Sequence, residues 1–314
     1  MITTVTLSPC IDKTSVLETF DPEKVNRVIS SRLDAGGKGV NVSLALASLN
    51  VKCRAVGLNF ELGETIEDVL RGAGVDTDFI KCSGRLRTNL KIFVQDTKRT
   101  VEINEQNPEV SRENVGDVIG LCRRLARDKD NGIFVLAGSI PAGVPTDIYA
   151  QLIDAIKAEK PHAKIVLDAV GDPLMKGLSA SPYMIKPNVE ELEKSFGVTL
   201  LDDDAVVKLC CDIIAEYRVG LVLVSKGSDG AIAVTDTEAV SVPAIRVDAK
   251  SAQGAGDAMV AGACLAISKR LPPKDILRYG TCAAAGAVER EGTAFCTRER
   301  FDELLAEINR YNMV

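Results

Sequence analysis

The sequence contains no tryptophan and a single histidine, His162. This histidine lies in a polar stretch, Glu159–Ala163, that is predicted to be a surface connector just before a strand. A single histidine argues against serine–histidine catalysis and against metal sites built from several imidazoles. If the protein is an enzyme, we therefore expect its base to be a carboxylate or a lysine.

The nine cysteines are an odd number, and no two of them are spaced as C-x-x-C. Several lie in apolar stretches, where a reduced thiol packs as a small hydrophobic side chain. These are Cys53, Cys210, Cys211, Cys264 and Cys282. The pattern argues against a disulfide framework and is typical of a reducing, cytoplasmic environment.

Long apolar runs and blocks of like charge are also absent. No apolar run approaches the roughly 18 residues that a membrane-spanning helix needs. With a net charge of -6 and no basic block, the chain is expected to bind neither nucleic acid nor membrane. Met1–Thr6 reads as a strand without a charged region or cleavage site, so no signal peptide is expected.

Two nucleotide-binding motifs are missing. The spacing G-x-x-x-x-G-K-[ST] occurs nowhere in the sequence, which argues against a P-loop. No G-x-G-x-x-G follows the first predicted strand, which weakens the interpretation as a dinucleotide-dependent dehydrogenase.

Apolar strands alternate with amphipathic helices along most of the chain, regularly so from Glu113 onward. The predicted strands include Ile133–Ala137, Ile165–Leu167, Tyr183–Ile185 and Leu221–Val224. This alternation predicts an α/β fold with a mainly parallel central sheet covered by helices on both faces. Ligands bind such sheets beyond the carboxyl ends of the strands.

A second, smaller sheet is predicted early in the chain. Ser15–Phe20 and Val25–Leu33 read as exposed extended segments, and Leu90–Gln95 with Thr100–Asn104 alternate as a hairpin. We expect one α/β domain over residues 1–314, with a small β-sheet lid formed by segments about 13–34 and 88–105.

The stretch Lys250–Gly262 carries the clearest chemical signal. Gly254, Ala255 and Gly256 precede a predicted helix, whose first N–H groups have no partner within the helix and favour an anion such as phosphate. Asp257 would repel that anion unless it has a task, such as taking a proton from an attacking hydroxyl. An aspartate that stabilises the first turn of a buried helix is an equally good local explanation.

The other candidate ligand-binding residues give weaker signals when each is considered alone. Gly36–Asn41 resembles a ligand-facing helix start, but a tight turn with a solvated lysine also explains it. Asp12 is expected to cap a turn if it has no other role, and Arg85 with Arg87 would be phosphate ligands or solvated side chains. Asn188 and Glu191 have the spacing of a helix cap.

Taken together, these residues resemble the ribokinase-like sugar kinases of the phosphofructokinase B group. The resemblance is carried by several segments that occur in the expected order. They are Gly37–Asn41, Gly138–Gly143, Asn188–Glu191, Val224–Gly227, Gly254–Asp257 and Glu291–Thr293. Within the group, Arg87–Ile92 and Glu102–Glu105 are most similar to the bacterial 1-phosphofructokinases, and the tagatose-6-phosphate kinases are close relatives.

The resemblance implies a ribokinase-like fold, ATP and Mg²⁺ as cofactors, and a homodimer formed through the β-lid. It implies ATP-dependent phosphorylation of fructose 1-phosphate to fructose 1,6-bisphosphate, with Asp257 as general base and the amides of Gly254, Ala255 and Gly256 as an anion hole. The implied substrate ligands are Asp12, Gly37, Lys38, Asn41 and Arg87, with Lys24 and Ser139 as weaker candidates. The implied nucleotide-facing residues are Lys186, Asn188, Ser225, Gly227, Gly254 and Gly256, while Glu191 would orient Mg²⁺ through water.

The sequence is also compatible with other activities. Tagatose-6-phosphate kinase and 6-phosphofructokinase share the mechanism, and a non-catalytic sugar-phosphate sensor is the alternative from another class. A nucleoside kinase or a kinase of unphosphorylated sugars would have no use for Lys38 and Arg87. Three residues depart from the family pattern: Gln253 stands where a small or β-branched residue usually precedes the glycines, Lys226 where a leucine is common, and Ala142 in place of the second of two prolines. Gln253 is expected to alter the nucleotide-side loop or a cation site, and Lys226 is expected to be solvated.

Overall fold

The computed structural model of the protein describes residues 1–292 and 294–311. In chain order the strands are β1 (Ile2–Thr6), β2 (Cys10–Leu17), β3 (Ser30–Gly36), β4 (Cys53–Glu61), β5 (Asp76–Arg85), β6 (Thr88–Val94), β7 (Arg99–Asn104), β8 (Ile133–Ala137), β9 (Lys164–Asp168), β10 (Met184–Ile185), β11 (Leu221–Ser225), β12 (Ala231–Val234) and β13 (Ala239–Val242). The helices are α1 (Lys38–Ser48), α2 (Glu64–Gly72), α3 (Arg112–Ala126), α4 (Ile148–Glu159), α5 (Asp172–Leu178), α6 (Val189–Phe196), α7 (Asp203–Tyr217), α8 (Ala255–Ser268), α9 (Pro273–Val288) and α10 (Arg298–Tyr311).

The central sheet has nine strands in the order β13-β12-β11-β10-β9-β8-β1-β4-β5. All neighbouring strands from β11 to β5 pair in parallel, and β12 and β13 extend the sheet as an antiparallel edge hairpin. Every residue of β1 and β8 is buried, because helices cover a parallel sheet on both faces. One helix group contains α1, α8, α9 and α10, and a second contains α3, α4 and α5. The predicted architecture is confirmed.

The cysteines are all free, and Cys211 alone among them is exposed. Most thiols therefore pack in the core, as their apolar surroundings predict. The expectation was wrong for Cys211, because the preceding Cys210 occupies the core-facing side of α7.

A separate four-stranded sheet has the order β3-β2-β6-β7. The hairpin β6–β7 is confirmed, and β2 joins it in parallel, with Asp12 opposite Asn89. The early strands begin and end elsewhere than predicted: β2 already starts at Cys10, because burial alternates from there. Asp12 is thus a strand residue and does not cap a turn.

Six elements were not predicted: β5, α5, β12, β13, α9 and α10. Strands β5 and β13 form the two edges of the central sheet, where exposed residues interrupt the apolar pattern, while α5 and β12 are short. His162 is exposed just before β9, as expected. Within residues 1–292 and 294–311, no helix combines the length and apolar character that crossing a bilayer requires.

Candidate active site

The candidate site lies at the carboxyl edge of the central sheet. The parallel pairing of β8, β9, β10 and β11 brings the residues at their ends to this one edge. These residues are Gly138 after β8, Asp168 at the end of β9, Lys186 after β10 and Ser225 at the end of β11. Helices α1 and α8 pack together and begin near the same edge. The two glycine-rich segments that precede them, Gly36–Asn41 and Gly254–Asp257, therefore lie close to each other.

The loop before α8 presents free backbone donors. Gly254 adopts φ +75°, a left-handed conformation that favours glycine, and α8 begins at the next residue. The N–H groups of Gly254 and Gly256 have no acceptor in the described part of the chain, whereas that of Ala255 donates to Ala252 O at 3.3 Å. Two of the three amides predicted to form an anion hole are therefore available.

Asp257 lies buried in the first turn of α8. Burial, together with the nearby charge of Asp168, raises its pKa to about 7, although Asn41, Lys38 and Lys186 act in the opposite direction. The side-chain amide of Asn41 donates to Asp257 Oδ2 at 2.8 Å. A carboxylate with a pKa near neutral pH can exchange a proton with a bound hydroxyl.

Asp168 holds two ammonium groups beside this base. Lys38 Nζ lies 3.1 Å from its Oδ1, and Lys186 Nζ lies 3.8 Å from the same oxygen. Asp168 is 1% exposed, and its Oδ2 has no hydrogen-bond partner among the described residues. Asp168 thus holds two ammonium groups next to the base, where they can offset part of the charge of an incoming phosphate.

Lys38 also faces Glu191, whose Oε1 lies 3.7 Å from its ammonium group. Burial alone would lower the pKa of Lys38, but the carboxylates of Asp168, Glu191 and Asp257 raise it above its usual value. Lys38 therefore stays protonated at neutral pH. This lysine is not a solvated side chain at a plain turn.

Asn188 and Glu191 form the predicted helix cap of α6. Asn188 Oδ1 accepts from Glu191 N at 2.7 Å, and Glu191 Oε2 accepts from Asn188 N at 2.9 Å. This reciprocal pair is a capping box. Because Oε1 of Glu191 remains free to face Lys38, the cap also fixes a carboxylate at the site.

Asp12 lies on the second sheet, where amide donors from two directions hold it. Asn89 Nδ2 donates to its Oδ1 at 3.0 Å, and Gln253 Nε2 donates to its Oδ2 at 3.1 Å. Lys91 Nζ lies 3.7 Å from the same Oδ2. The side chain of Gln253 therefore points to Asp12 on the second sheet.

Arg87 fastens the loop after β1. Its guanidinium donates to the backbone oxygens of Ser8 at 3.3 Å and Pro9 at 3.4 Å. Gly37, with φ +111°, lies against this loop, since a Cβ there would be 3.2 Å from Pro9 Cα. Arg87 is thus brought to the side of the site where Gly36–Asn41 begins.

Two predicted residues lie at the margin. Ser139 is exposed in the loop after β8. Lys24 lies in the connector between β2 and β3. Its side chain is 78% exposed and forms an ion pair with Asp21 at 3.0 Å. No hydrogen bond or ion pair joins Lys24 to the other predicted site residues in the part of the chain that the structure describes. Thr293, the last residue of the segments that carry the family resemblance, lies outside the described residues.

A cavity of about 410 Å³ adjoins Asn188 and Ser225 on the side of α6 and α7. Its lining combines apolar and polar side chains, among them Val189, Leu200, Leu201, Val206, Lys226 and Gly227.

Lys226 Nζ pairs with Asp203 at 2.7 Å and is 14% exposed, so the expectation that it is solvated was wrong. Gly227 adopts φ +60°, which the turn after β11 requires.

Metal binding by protein groups alone has little support in this arrangement. Within residues 1–292 and 294–311, no three His, Cys, Asp or Glu side chains are grouped so as to hold a metal ion. The unpartnered Oδ2 of Asp168 and the carboxylate of Glu191 nevertheless present hard oxygen atoms of the type that Mg²⁺ prefers. The two groups fit a metal whose remaining ligands come from a bound phosphate and water.

Sequence reasoning missed Asp168, Asn89 and Lys91 as site residues. Asp168 stood at a predicted strand end, which was the available signal, but nothing local distinguished it from other strand-end aspartates. Asn89 and Lys91 alternate on β6 toward Asp12, a signal that appears only once β2 is known to pair with β6.

Comparison with known proteins agrees with this geometry. The model of the pfkB family of carbohydrate kinases matches residues 5–300. The chain is 32% identical to the 1-phosphofructokinase of Borreliella burgdorferi, over 98% of this chain and 97% of the relative. It is also 32% identical to the 1-phosphofructokinase of Bacillus subtilis, over 98% of each chain.

Among solved structures, phosphofructokinase-2 from Escherichia coli in complex with substrates and products superposes with a TM-score of 0.90 at 25% identity. The superposition covers 98% of this chain and 99% of that chain. The expected ribokinase-like fold, with its central sheet and small second sheet, is confirmed.

Proposed function

The chain belongs to the pfkB family of carbohydrate kinases, and we propose that it transfers the terminal phosphoryl group of ATP to fructose 1-phosphate, forming fructose 1,6-bisphosphate and ADP. The substrate follows from the curated relatives named 1-phosphofructokinase, which match nearly the whole chain. Transfer between two anionic substrates requires positioning and charge stabilisation above all.

The observation that carries the proposal is the position of Asp257. It is buried beside the free N–H groups of Gly254 and Gly256, and its pKa is raised to about 7. A sensor that only binds sugar phosphates would gain nothing from a buried carboxylate that repels them. The arrangement supports a base and an anion hole placed side by side.

The proposed step conserves atoms and charge. Asp257 takes the proton from the acceptor hydroxyl as that oxygen attacks the terminal phosphorus atom, and the bond from phosphorus to the bridging oxygen of ADP breaks. The amides of Gly254 and Gly256 stabilise the oxygens of the transferred group, aided by Lys186. Asp257 later releases its proton to solvent.

On the donor side, the cavity next to Asn188 and Ser225 would hold the nucleotide, with Gly227 at its rim. Lys186 and the amides of Gly254 and Gly256 face the expected phosphates. Mg²⁺ would be held by the phosphate oxygens of ATP together with Asp168 and, through water, Glu191. Bound there, it would neutralise charge on the phosphates.

On the acceptor side, Asp12 and Asn41 would bind sugar hydroxyls, with Gly37 allowing close approach of the backbone. Asn41 Oδ1 is buried without a hydrogen-bond partner among the described residues, and a sugar hydroxyl would supply the missing donor. Lys38 and Arg87 would bind the phosphate already on the sugar, with Ser139 and Lys24 contributing from the margin.

The test is ADP release from ATP and Mg²⁺ with fructose 1-phosphate, tagatose 6-phosphate and fructose 6-phosphate in parallel, with Asp257→Asn as the blank. The proposal expects the highest kcat/KM for fructose 1-phosphate. Preference for either other ester keeps the mechanism and changes the substrate. Turnover of none of them would overturn the proposal.

We further propose that the protein is a cytoplasmic homodimer that associates through the second sheet. This sheet and its connector expose large apolar side chains, including Val25 at 88% and Leu33 at 64%. Exposed strand edges and apolar patches are typical of association surfaces. The free cysteines fit a reducing compartment.

A further inference from the structure

Gln253 occupies an unusual position between the two sheets of the protein. It directly precedes Gly254, the first residue of the proposed anion hole, and its side chain reaches Asp12 on β2 across 241 positions of sequence. Its backbone N–H donates to Ser251 Oγ at 3.2 Å, which helps to hold the loop from which the side chain extends.

The hydrogen bond from Gln253 to Asp12 connects the loop before α8 with the second sheet. Within residues 1–292, it is the one side-chain hydrogen bond that joins the loop of residues 248–254 to the second sheet. The other amide donor to Asp12, Asn89, lies on the same sheet as Asp12. A movement of the second sheet relative to the central sheet would therefore stretch the bond from Gln253 but not the bond from Asn89.

Asp12 has few ways to be oriented. It is 6% exposed, and each of its oxygens accepts from one amide, Oδ1 from Asn89 and Oδ2 from Gln253. A carboxylate held at both oxygens keeps one rotamer and directs its remaining lone pairs in fixed directions. Those lone pairs are what a sugar hydroxyl would contact.

We propose that Gln253 is a positioning residue for phosphoryl transfer: it orients Asp12 from the loop that carries the anion hole and so couples the seating of the acceptor sugar to that loop. This inference rests on the proposed function. It assigns a task to a long amide where the family pattern has a small or β-branched residue, which could not reach Asp12.

The expected effect is on the acceptor and not on the nucleotide. Losing a hydrogen bond to a charged group weakens an interaction by about 10- to 100-fold. Gln253→Ala should therefore raise KM for the sugar phosphate about 10-fold or more and change KM for ATP less than about twofold. Gln253→Glu, of the same length, places a second carboxylate against Asp12 and should be worse than Gln253→Ala.

A double-mutant cycle separates this role from a merely structural one. In the Asp12→Asn background, Gln253→Ala should add little to the rise in KM, because the group that it orients has already been altered. Gln151→Ala is the matched control, since Gln151 Nε2 makes the same kind of bond to Asp147 at 2.9 Å, on the exposed side of α4. It should leave both KM values unchanged.

Each outcome decides the matter. An unchanged KM for the sugar phosphate in Gln253→Ala, or fully additive effects in the cycle, would overturn the inference while leaving the proposed function intact. If the parent phosphorylates none of the three sugar phosphates, the proposed function and this inference fail together. Gln253→Thr, which keeps a residue of the family's type, replaces Gln253→Ala if the latter does not fold.

Discussion

The side-chain amide of Asn41, in the second turn of α1, donates a 2.8 Å hydrogen bond to Oδ2 of Asp257, in the first turn of α8. The two residues are 216 positions apart in sequence. The bond stabilises the ionised form of Asp257. It leaves Asn41 Oδ1 buried and without a donor, so one asparagine can hold the proposed base and accept from the hydroxyl that the base deprotonates.

Replacing Asn41 should shift the pH dependence of catalysis. Asn41→Leu removes a bond that lowers the pKa of Asp257, so the acid limb of kcat/KM should move to higher pH by about one unit. A pH–rate profile from pH 5.5 to 9 measures this shift. Ser48→Ala, on the last turn of the same helix, is the control; an acid limb that stays in place would separate Asn41 from the base.

Removing the base should abolish turnover without abolishing nucleotide binding. Asp257→Asn is expected to lower kcat by about 10²- to 10⁴-fold, the range that general bases contribute. Asp172→Asn removes a carboxylate from the first turn of α5 and should leave kcat unchanged. Turnover of Asp257→Asn within a few-fold of the parent would contradict the assignment, and ATP titration followed by calorimetry tests binding.

The same substitution should change stability with a defined sign. The pKa of Asp257 is raised from 3.8 to about 7 in the folded protein, so the folded state holds a proton that the unfolded state releases. The parent therefore loses stability relative to Asp257→Asn as pH rises from about 4 to 7, and the difference then levels off. Urea unfolding at pH 5 and pH 7.5 should show a relative loss of about 1–3 kcal/mol. Parallel pH curves for the two proteins would rule out the raised pKa.

Lys38 should matter mainly for substrate binding. Lys38→Ala is expected to raise KM for fructose 1-phosphate by about 10-fold or more with a smaller change in kcat. Lys52→Ala, an exposed lysine just before β4, serves as the control. A loss confined to kcat would instead assign Lys38 to the transferred phosphoryl group, close to its contacts with Asp168 and Glu191.

The second sheet should control the oligomeric state. A charge introduced at Leu33 places a carboxylate in the proposed dimer contact, so Leu33→Glu should weaken association by at least about tenfold. Sedimentation velocity over a range of protein concentrations measures this. Val198→Glu is the control: it changes an apolar side chain that is 41% exposed and lies away from this sheet, and it should sediment as the parent does. If Leu33→Glu also sediments as the parent does, the second sheet is not the dimer contact.

Local patterns predicted much of the fold because they report on the backbone. The fully buried β8 was predicted at its observed bounds, since a parallel strand covered on both faces is a short, wholly apolar run. The edge strand β13 was missed because exposed residues break its apolar pattern. The start of β2 at Cys10 was missed because buried polar residues, Asp12 among them, stand where apolar ones are expected.

The same distinction holds at the candidate site. Glycines ahead of a helix predicted the segment Gly254–Asp257, and the spacing of Asn188 and Glu191 predicted the cap that the structure contains. The role of Asp168 was not predictable, because its partners come from α1 and from the end of β10. Nothing near it in sequence distinguishes it from a solvated carboxylate.

By itself, then, the sequence determined the α/β class, the sheet edge at which the site lies and the residues most suited to chemistry. Those properties follow from periodicity, glycine placement and capping, which act over a few residues. Only the tertiary structure decided which side chains meet: Asn41 with Asp257, Lys38 with Asp168, and Gln253 with Asp12. Such pairings depend on how separate elements pack, because a polar side chain that leaves water must find its partner wherever the fold places one.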